Sequence, residues 1–207
     1  MHVMARSGPK RGDTRRTETR TAIVDATVAT LAAHGFSGTS ARAVAERAGL
    51  APGGVFYHFQ TMDNLLAEVF TTCLDRRIAR LRAAVDVPRG GLPTAFTSAV
   101  RDEFAHVESR AILELVVGAI DSPGLAVRVR EGLNQSFAFT REVVDLLLAD
   151  SPLAGVLPLD LVAQVAASAF FGLAVMDLVG TDIDIDGMTA LVNTLLGLVI
   201  PAGGPAA

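Results

Sequence analysis

Turn-forming residues divide the segment between Gly35 and Thr61 into very short helices, and this spacing constrains the fold more than any other feature of the sequence. Gly35 can end a first helix by adopting a left-handed backbone conformation. Ser40 is a good N-cap for a second helix, Ala41 to Ala48, and Gly49 supplies the turn that follows it. The segment is therefore expected to hold short helices joined by tight turns.

A third, very short helix follows this turn. Pro52 suits its first turn, because the N–H group that proline lacks has no helical partner there. Its core face is expected to be formed by Val55, Phe56 and Phe59. Thr61 then caps a long fourth helix. With a first helix that begins at Thr17, these elements predict a compact three-helix unit and a connector.

The remaining chain is helical in pattern, with glycine, proline and short polar residues at the junctions. No strand pattern is convincing, so the predicted fold class is all-α, with about nine helices in total. The later helices are predicted near Thr94–His106, Ser109–Ala119, Leu125–Leu148, Leu159–Val179 and Asp186–Ile200. The predicted organisation is a flexible basic arm at 1–14, a domain at 15–80 that includes the connector helix, a helical domain at 81–200 and a tail at 201–207.

Charge is distributed unevenly along the chain. The net charge is −4, yet residues 1–80 carry 11 Lys or Arg against 7 Asp or Glu, whereas residues 81–207 carry 7 against 15. A basic front and an acidic rear favour a polyanionic partner for the front alone. The arm could follow a phosphate backbone, or it could be a solvated tail. The basic residues of this region are Arg6, Lys10, Arg11, Arg15, Arg16 and Arg20.

The composition is that of a folded protein, because half of the 207 residues are hydrophobic. The start of the chain lacks the apolar run of a secretion signal. Asp, Gln, Gly or Pro interrupts each apolar stretch before the roughly 20 residues that cross a bilayer. Cys73 is the only cysteine, so an intramolecular disulfide is excluded. We therefore expect a cytoplasmic protein that has no membrane partner.

The sequence offers little for catalysis. Its four histidines lack a metal-ligand spacing. Cys73 lies in an apolar stripe, where cysteine is more often inert core than nucleophile. No glycine-rich phosphate loop follows a strand. We expect a protein that is not an enzyme and that holds no cofactor or metal.

The pattern from Ser40 to Phe59 fits a helix-turn-helix, in which a supporting helix and a sharp turn position a second helix in the major groove of DNA. Ala45 is small where the two helices cross, Leu50 fills the core beneath the turn, and Val55 anchors the second helix. The side chains left to face outward are those of Ala51, Pro52, Gly54, Tyr57 and His58.

The chain resembles the N-terminal domain of tetracycline-repressor (TetR) family regulators from about Thr17 to Arg77, without a gap. The resemblance is carried by Gly35-Phe-Ser-Gly-Thr-Ser-Ala-Arg-Ala-Val-Ala-Glu-Arg-Ala-Gly-Leu50 and by Gly53-Gly-Val-Phe-Tyr-His-Phe-Gln-Thr-Met-Asp-Asn-Leu-Leu66. It implies a helix-turn-helix over Ser40–Phe59 and an all-helical C-terminal domain that binds a small molecule and forms the homodimer.

By this resemblance, a small set of side chains faces DNA: Arg42, Ala51, Pro52, Gly54, Tyr57 and His58, with Thr39 and Ser40 near phosphate. Tyr57 and His58 can offer hydrogen bonds to phosphates or base edges, and Arg42 can pair with phosphate or guanine. Two alternatives stay open. Tyr57 could pack against the first helix, and His58 could interact with the C-terminal dipole of its own helix. Arg47 is expected on a solvated face.

The chain departs from the family's pattern at four positions. Ala51 stands where Ser or Thr is usual, and Gly54 where Thr, Ser or Ala is common. Met62 stands where Lys commonly meets phosphate, and Phe56 where Tyr is more usual. Each missing polar contact is worth about 0.5–1.5 kcal/mol. We expect a weaker grip on each half-site, offset in part by the basic arm. The alternative function is a helical interaction protein of the same fold with weakened or lost DNA binding.

The resemblance thus predicts a ligand-responsive transcriptional regulator, a repressor that binds a palindromic double-stranded DNA operator as a homodimer and is released by a small effector. The last two long helices are candidates for the dimer interface, although an intramolecular core would carry the same residue types. An apolar or amphipathic effector is expected in a mostly apolar pocket. The candidate pocket residues are Phe104, His106, Asn134, Phe137, Gln164, Phe171 and Met176, with Gln135, Phe139 and Phe170 as further candidates.

Overall fold

The computed structural model describes residues 11–51, 53–149 and 151–200. Within these ranges the chain forms nine α-helices, short 3₁₀ turns and no strand, which confirms the all-α class. The helices are α1 (Arg11–His34), α2 (Ala41–Arg47), α3 (Gly54–Phe59), α4 (Met62–Val85), α5 (Leu92–Asp102), α6 (Val107–Gly118), α7 (Pro123–Leu148), α8 (Leu159–Leu178) and α9 (Ile185–Val199).

The N-terminal helices begin and end where the sequence supplies caps and turns. Gly35 and Gly49 follow α1 and α2 with φ angles of 69° and 67°, a left-handed conformation that glycine adopts without a steric penalty. The hydroxyl oxygens of Ser40 and Thr61 accept hydrogen bonds from the backbone N–H groups three residues later, at 3.3 and 3.1 Å. Each hydroxyl therefore satisfies one of the N–H groups that a helix start leaves without a partner.

The first helix begins at Arg11, well before the expected start at Thr17, so residues 11–14 belong to α1 and not to a flexible arm. Asp13 lies in the first turn, where its negative charge favours the helix dipole. Residues 12–18 are exposed, so the periodicity of apolar residues could not reveal this part of the helix. Residues 1–10 of the predicted arm, and the predicted tail, lie outside the described residues.

One hydrophobic core joins the N-terminal helices to the second domain. Buried residues of α1 to α4 belong to the same cluster as Ile112, Leu115, Leu125 and Val129 of α6 and α7. The helix α4 starts beside α3 and continues into the second domain, where it contacts α5, α6 and α7. The predicted boundary between residues 80 and 81 falls within α4 and stays a prediction.

The helix α8 differs from the sequence expectation that no segment approaches membrane-spanning length. It has 20 residues with a mean hydropathy of 1.8, which by length and composition alone suffices to cross a membrane. Its two acidic residues, Asp160 and Asp177, lie near its ends, and the polar residues between them are Gln164 and Ser168. Only 22% of this stretch is buried, so α8 presents an apolar face to the outside.

Candidate functional site

The turn between α2 and α3 holds the two helices at a fixed angle. The N–H of Leu50 donates to the carbonyl of Ala45 at 2.9 Å and thereby folds the chain back onto α2. Ala45 and Val55 are buried beneath the turn. A Cβ atom added at Gly54 would lie 3.4 Å from the Cβ of Leu50, so α3 begins in close contact with the turn.

The opposite side of this unit is open to solvent. Its exposed predicted residues are Ser40, Arg42, Ala51 and Tyr57. The Tyr57 side chain is 75% exposed, which excludes packing against α1. Thr39 is half-buried, and its hydroxyl donates to the carbonyl of Gly35 at 2.8 Å. Gly54 is half-buried against the turn, and Pro52 lies outside the described residues.

The short helix α3 turns His58 inward and Phe56 outward, which reverses two sequence expectations. His58 is 8% exposed, whereas Phe56 is 47% exposed. Val55, His58 and Phe59 are spaced i, i+3 and i+4 on one face of a helix, and this face is the buried one. The same spacing in the sequence could have placed His58 in the core. Its imidazole is therefore turned away from the exposed side of the helix-turn-helix, and its predicted contact with DNA stays a prediction.

The imidazole of His58 occupies an unfavourable environment for a positive charge. Its Nδ1 has no hydrogen-bond partner among the described residues. Burial lowers the pKa of His58, and the neighbouring positive charges of Arg16 and Arg20 lower it further. The neutral imidazole is therefore the favoured form in the folded protein.

Arg20 ties α1 to the end of α3 and to α4. Its Nη1 donates to the His58 carbonyl at 2.5 Å, and its Nη2 pairs with the Glu68 carboxylate. The guanidinium carbon lies 4.2 Å from the centre of the Phe59 ring. Composition alone grouped Arg20 with the basic residues of the arm, but its partners give it an internal role. Arg15 and Arg16, nearer the start of α1, are exposed.

A cavity of about 360 Å³ lies in the second domain, between α4, α5, α7, α8 and α9. Among the predicted pocket residues, those that line it are Phe104, Phe139, Phe170 and Phe171. Those that do not are His106, Asn134, Gln135, Phe137, Gln164 and Met176. For the residues of α7 and α8 in this set, the reason is the rotation of each helix about its axis, which the sequence pattern did not supply.

Arg77 of α4 is the one charged residue in the described wall of this cavity. Its guanidinium carbon lies 4.0 Å from the centre of the Phe170 ring. Its Nε is 4.0 Å from the nearest oxygen of Glu103. Glu103 itself is buried, and it accepts two hydrogen bonds from Arg80, at 2.7 and 2.9 Å, and one from Ser109 at 3.1 Å. Sequence reasoning did not find this cluster, since its members are far apart along the chain.

Burial lowers the pKa of Arg77 to about 10, although Glu103 acts in the opposite direction. Arg77 therefore still carries its positive charge at neutral pH. The hydrogen bond with Glu103 raises the pKa of Arg80. The cavity wall also contains hydroxyl groups, and that of Thr97 lies 2.9 Å from the Asn193 side-chain oxygen, which connects α5 to α9.

These features define a class of protein: an all-α chain in which a helix-turn-helix unit is joined through one continuous helix to a helical domain with an apolar cavity. Residues 23–69 match the family described as bacterial regulatory proteins, tetR family. Over 124 residues the chain is 30% identical to an uncharacterized HTH-type transcriptional regulator of Mycobacterium tuberculosis. That alignment covers 58% of this chain and 63% of the relative, so the chain spans less than two thirds of the relative's length.

Two solved structures have the same fold over most of the chain. A transcriptional regulator from Rhodococcus sp. Rha1 has a TM-score of 0.70 and 24% identity, and the match covers 90% of this chain and 99% of that one. The multidrug binding protein EbrR, solved in complex with imidazole, has a TM-score of 0.65 and 23% identity, and the match covers 97% of this chain and 100% of that one. The helix-turn-helix domain therefore matches the tetR family of bacterial regulatory proteins over residues 23–69, and most of the chain has the fold of these solved structures.

Proposed function

We propose that this chain is a cytoplasmic DNA-binding repressor that binds a palindromic operator as a homodimer and is released by a small effector. The observation that carries the proposal is the exposed side of α2 and α3. There Arg42 and Tyr57 face solvent, whereas the opposite side of both helices is buried. Arg42 can pair with a phosphate and Tyr57 can donate its hydroxyl to a phosphate or a base edge.

A gel-shift titration tests the DNA-binding step. The probes are the DNA that flanks the coding region and duplexes selected from a random pool by the full chain. Arg42→Ala should weaken binding and reduce the slope of log K against log salt by about 0.9, because one phosphate contact is lost. Arg47→Ala is the matched control, since Arg47 is also exposed on α2 but is expected on its solvated side. No selected duplex, or equal slopes for the two variants, would contradict the proposal.

The basic arm is a second part of the proposed DNA interface. Removing residues 1–10 deletes Arg6 and Lys10 but leaves α1 intact, because α1 begins at Arg11. If both side chains meet phosphate, the salt slope should fall by up to about 1.8. If the operator affinity and the salt slope do not change, these residues do not contact DNA and form a solvated tail.

The proposed homodimer rests on the outer face of α8 and α9. Five large apolar side chains represent it, all more than half exposed: Leu161, Val165, Leu191, Leu195 and Leu198. Large apolar side chains that are exposed together on two helices favour an interaction site. A second copy of the chain is the occupant we propose, because a six-residue α3 offers little contact and two copies can read two half-sites about 34–36 Å apart.

The oligomeric state can be measured by sedimentation equilibrium. The wild-type chain should be a dimer, and Val165→Glu combined with Leu195→Glu should be a monomer with unchanged helix content. Vesicle flotation tests the alternative that α8 enters a membrane, which its length and hydropathy permit. A monomeric wild type, or one that floats with vesicles, would contradict the proposed dimer.

We propose that α4 couples effector binding in the cavity to release of the operator by the helix-turn-helix domain. The cavity lies against α4, and the N-terminal half of that helix packs in the same core as α2 and α3. The two recognition helices of a dimer can be at different distances in different conformations. A ligand that binds one of these conformations more tightly shifts the population toward it. EbrR, a structural neighbour, is described as a multidrug binding protein, which supports small-molecule binding in this fold.

The competing function is a helical interaction protein that has lost DNA binding. Gly54 offers no side chain to DNA and lies half-buried against Leu50 of the turn, and Met62 packs partly against the core where a basic residue would meet phosphate. This alternative predicts a dimer with no sequence preference for DNA. Selection from the random duplex pool therefore distinguishes the two functions.

A further inference from the structure

Arg77 is buried in the second domain without a hydrogen bond from its guanidinium. Its side chain is 11% exposed, and the nearest carboxylate oxygen, on Glu103, is 4.0 Å from its Nε. No described residue, Glu103 included, accepts a hydrogen bond from the Arg77 guanidinium. Buried polar groups are normally paired, and arginine has five N–H donors. The donors of Arg77 therefore suit an acceptor that the described residues do not supply.

The charge of Glu103 is already balanced by another residue. Arg80 binds both Glu103 oxygens, and the Ser109 hydroxyl donates to one of them. An arginine that forms two parallel hydrogen bonds to one carboxylate is a strong pair. Arg77 thus interacts with Glu103 more weakly than Arg80 does, and its positive charge is available to pair with a bound anion.

Stacking explains the position of Arg77 but leaves its donors unused. The guanidinium carbon lies 4.0 Å from the centre of the Phe170 ring and 5.6 Å from that of Phe171. A cation above an aromatic face is attracted by the ring, and the N–H groups at the edge of the guanidinium remain available. Both rings and Arg77 line the same cavity.

We propose that the cavity binds an amphipathic monoanion, whose carboxylate pairs with Arg77 and whose hydrocarbon part contacts the apolar wall around Phe139, Leu147 and Val162. Among the described residues, Arg77 is the single cation in an otherwise uncharged wall, which fits one negative charge, and a planar carboxylate matches the guanidinium edge. This proposal rests on the proposed effector response and gives the chemical class of the effector.

The position of Arg77 also suggests how the anion would act. Arg77 lies on α4, the helix that carries Leu65 and Leu66 in the core of the helix-turn-helix domain. A carboxylate bound to Arg77 competes with its weak attraction to Glu103, which lies between α5 and α6. The charge of the effector therefore acts at the point where α4 meets the second domain, and an uncharged analogue would lack this effect.

Decanoate and 1-decanol are the matched probes, because they share a ten-carbon chain and differ in charge. Isothermal titration of the full chain should give at least about tenfold tighter binding of decanoate. Arg77→Gln should remove most of this preference while leaving decanol binding unchanged. Arg77→Lys keeps the charge without the paired donors and should keep part of the preference. Arg128→Gln removes an exposed arginine from α7 and should behave as the wild type.

Several results would overturn the proposal. These are equal binding of acid and alcohol, tighter binding of decylamine, a preference that survives Arg77→Gln in a folded variant, or no saturable binding of any probe. The titration needs no DNA, so its outcome is separate from that of the gel shift. If the chain selects an operator but does not bind decanoate, only the proposed effector class is contradicted. If it binds decanoate but no DNA, only the proposed operator function is contradicted.

Discussion

The ring of Phe36 lies against the backbone of Gly118, where a Cβ atom would fall 2.2 Å from two of the ring carbons. Phe36 follows the end of α1, and Gly118 is the last residue of α6. The backbone N–H of Phe36 also donates to the Glu114 carboxylate of α6 at 2.8 Å. The helix-turn-helix domain is thus connected to the second domain by a close packing contact and a hydrogen bond, in addition to the continuous helix α4.

Replacing Gly118 with alanine should break this packing. The added methyl group cannot fit beside Phe36 without a shift of the ring, and overpacking of this kind costs about 1–3 kcal/mol. Urea unfolding followed by circular dichroism measures the loss. Gly12→Ala is the matched control, because Gly12 is also helical and nothing lies within 4 Å of its added Cβ. A Gly118→Ala variant as stable as the control would show that the two domains do not depend on this contact.

Arg20 should contribute to stability and not to DNA contact. Arg20→Ala removes the bond to the His58 carbonyl, the pair with Glu68 and the stacking on Phe59. The Arg20 and Glu68 side chains are partly exposed, so the expected loss in unfolding free energy is modest, about 1 kcal/mol. Arg15→Ala, on the exposed start of the same helix, should leave stability unchanged. The idea fails if the two variants are equally stable.

The helices themselves could be predicted from the sequence, because their caps and turn residues are local signals. Ser40, Gly49 and Thr61 act at the positions that their chemistry predicts. The start of α1 could not be predicted from the sequence, since its exposed first turns carry no apolar pattern. The helical spacing that predicts buried positions for Val55 and Phe59 also predicts one for His58. The resemblance to the family instead favoured an exposed His58.

The cavity and its charge depended on information that the sequence does not contain. The sequence shows that apolar residues such as Phe104 and Phe171 are buried or line a cavity. It does not show which of the two applies. Arg77 and Glu103 come together only because α4 packs beside the 3₁₀ turn after α5. Their spacing in the chain matches no motif, so no sequence pattern would have singled out Arg77.

The thiol of Cys73 should be unreactive in the folded chain. Cys73 is fully buried, and burial raises its pKa from 9.0 to about 12. Because the thiolate is the reactive form, the folded thiol should react roughly a thousandfold more slowly than the unfolded one, apart from steric protection. Iodoacetamide labelling at pH 8, with and without guanidinium chloride, measures the ratio, and Cys73→Ser provides the blank. Rapid labelling of the native chain would contradict the buried position.

The stability of the chain should fall as His58 becomes protonated in the unfolded state. Burial, followed by the charges of Arg16 and Arg20, lowers the pKa of His58 below its usual value of about 6.5, so between the two pKa values the unfolded chain binds more protons than the folded one. This contribution is fully present above about pH 6.5. It is lost as the pH falls through that value towards the lower pKa of the folded state.

Unfolding free energies at pH 7.5 and 5.5 test this sign. Wild type should lose more stability between the two pH values than His58→Gln, which cannot be protonated in this range. His34→Gln replaces an exposed histidine and should keep the pH dependence of the wild type. If wild type and His58→Gln lose the same stability on acidification, His58 is not held neutral by its buried position, and its ring must then reach solvent or an acceptor in the folded chain.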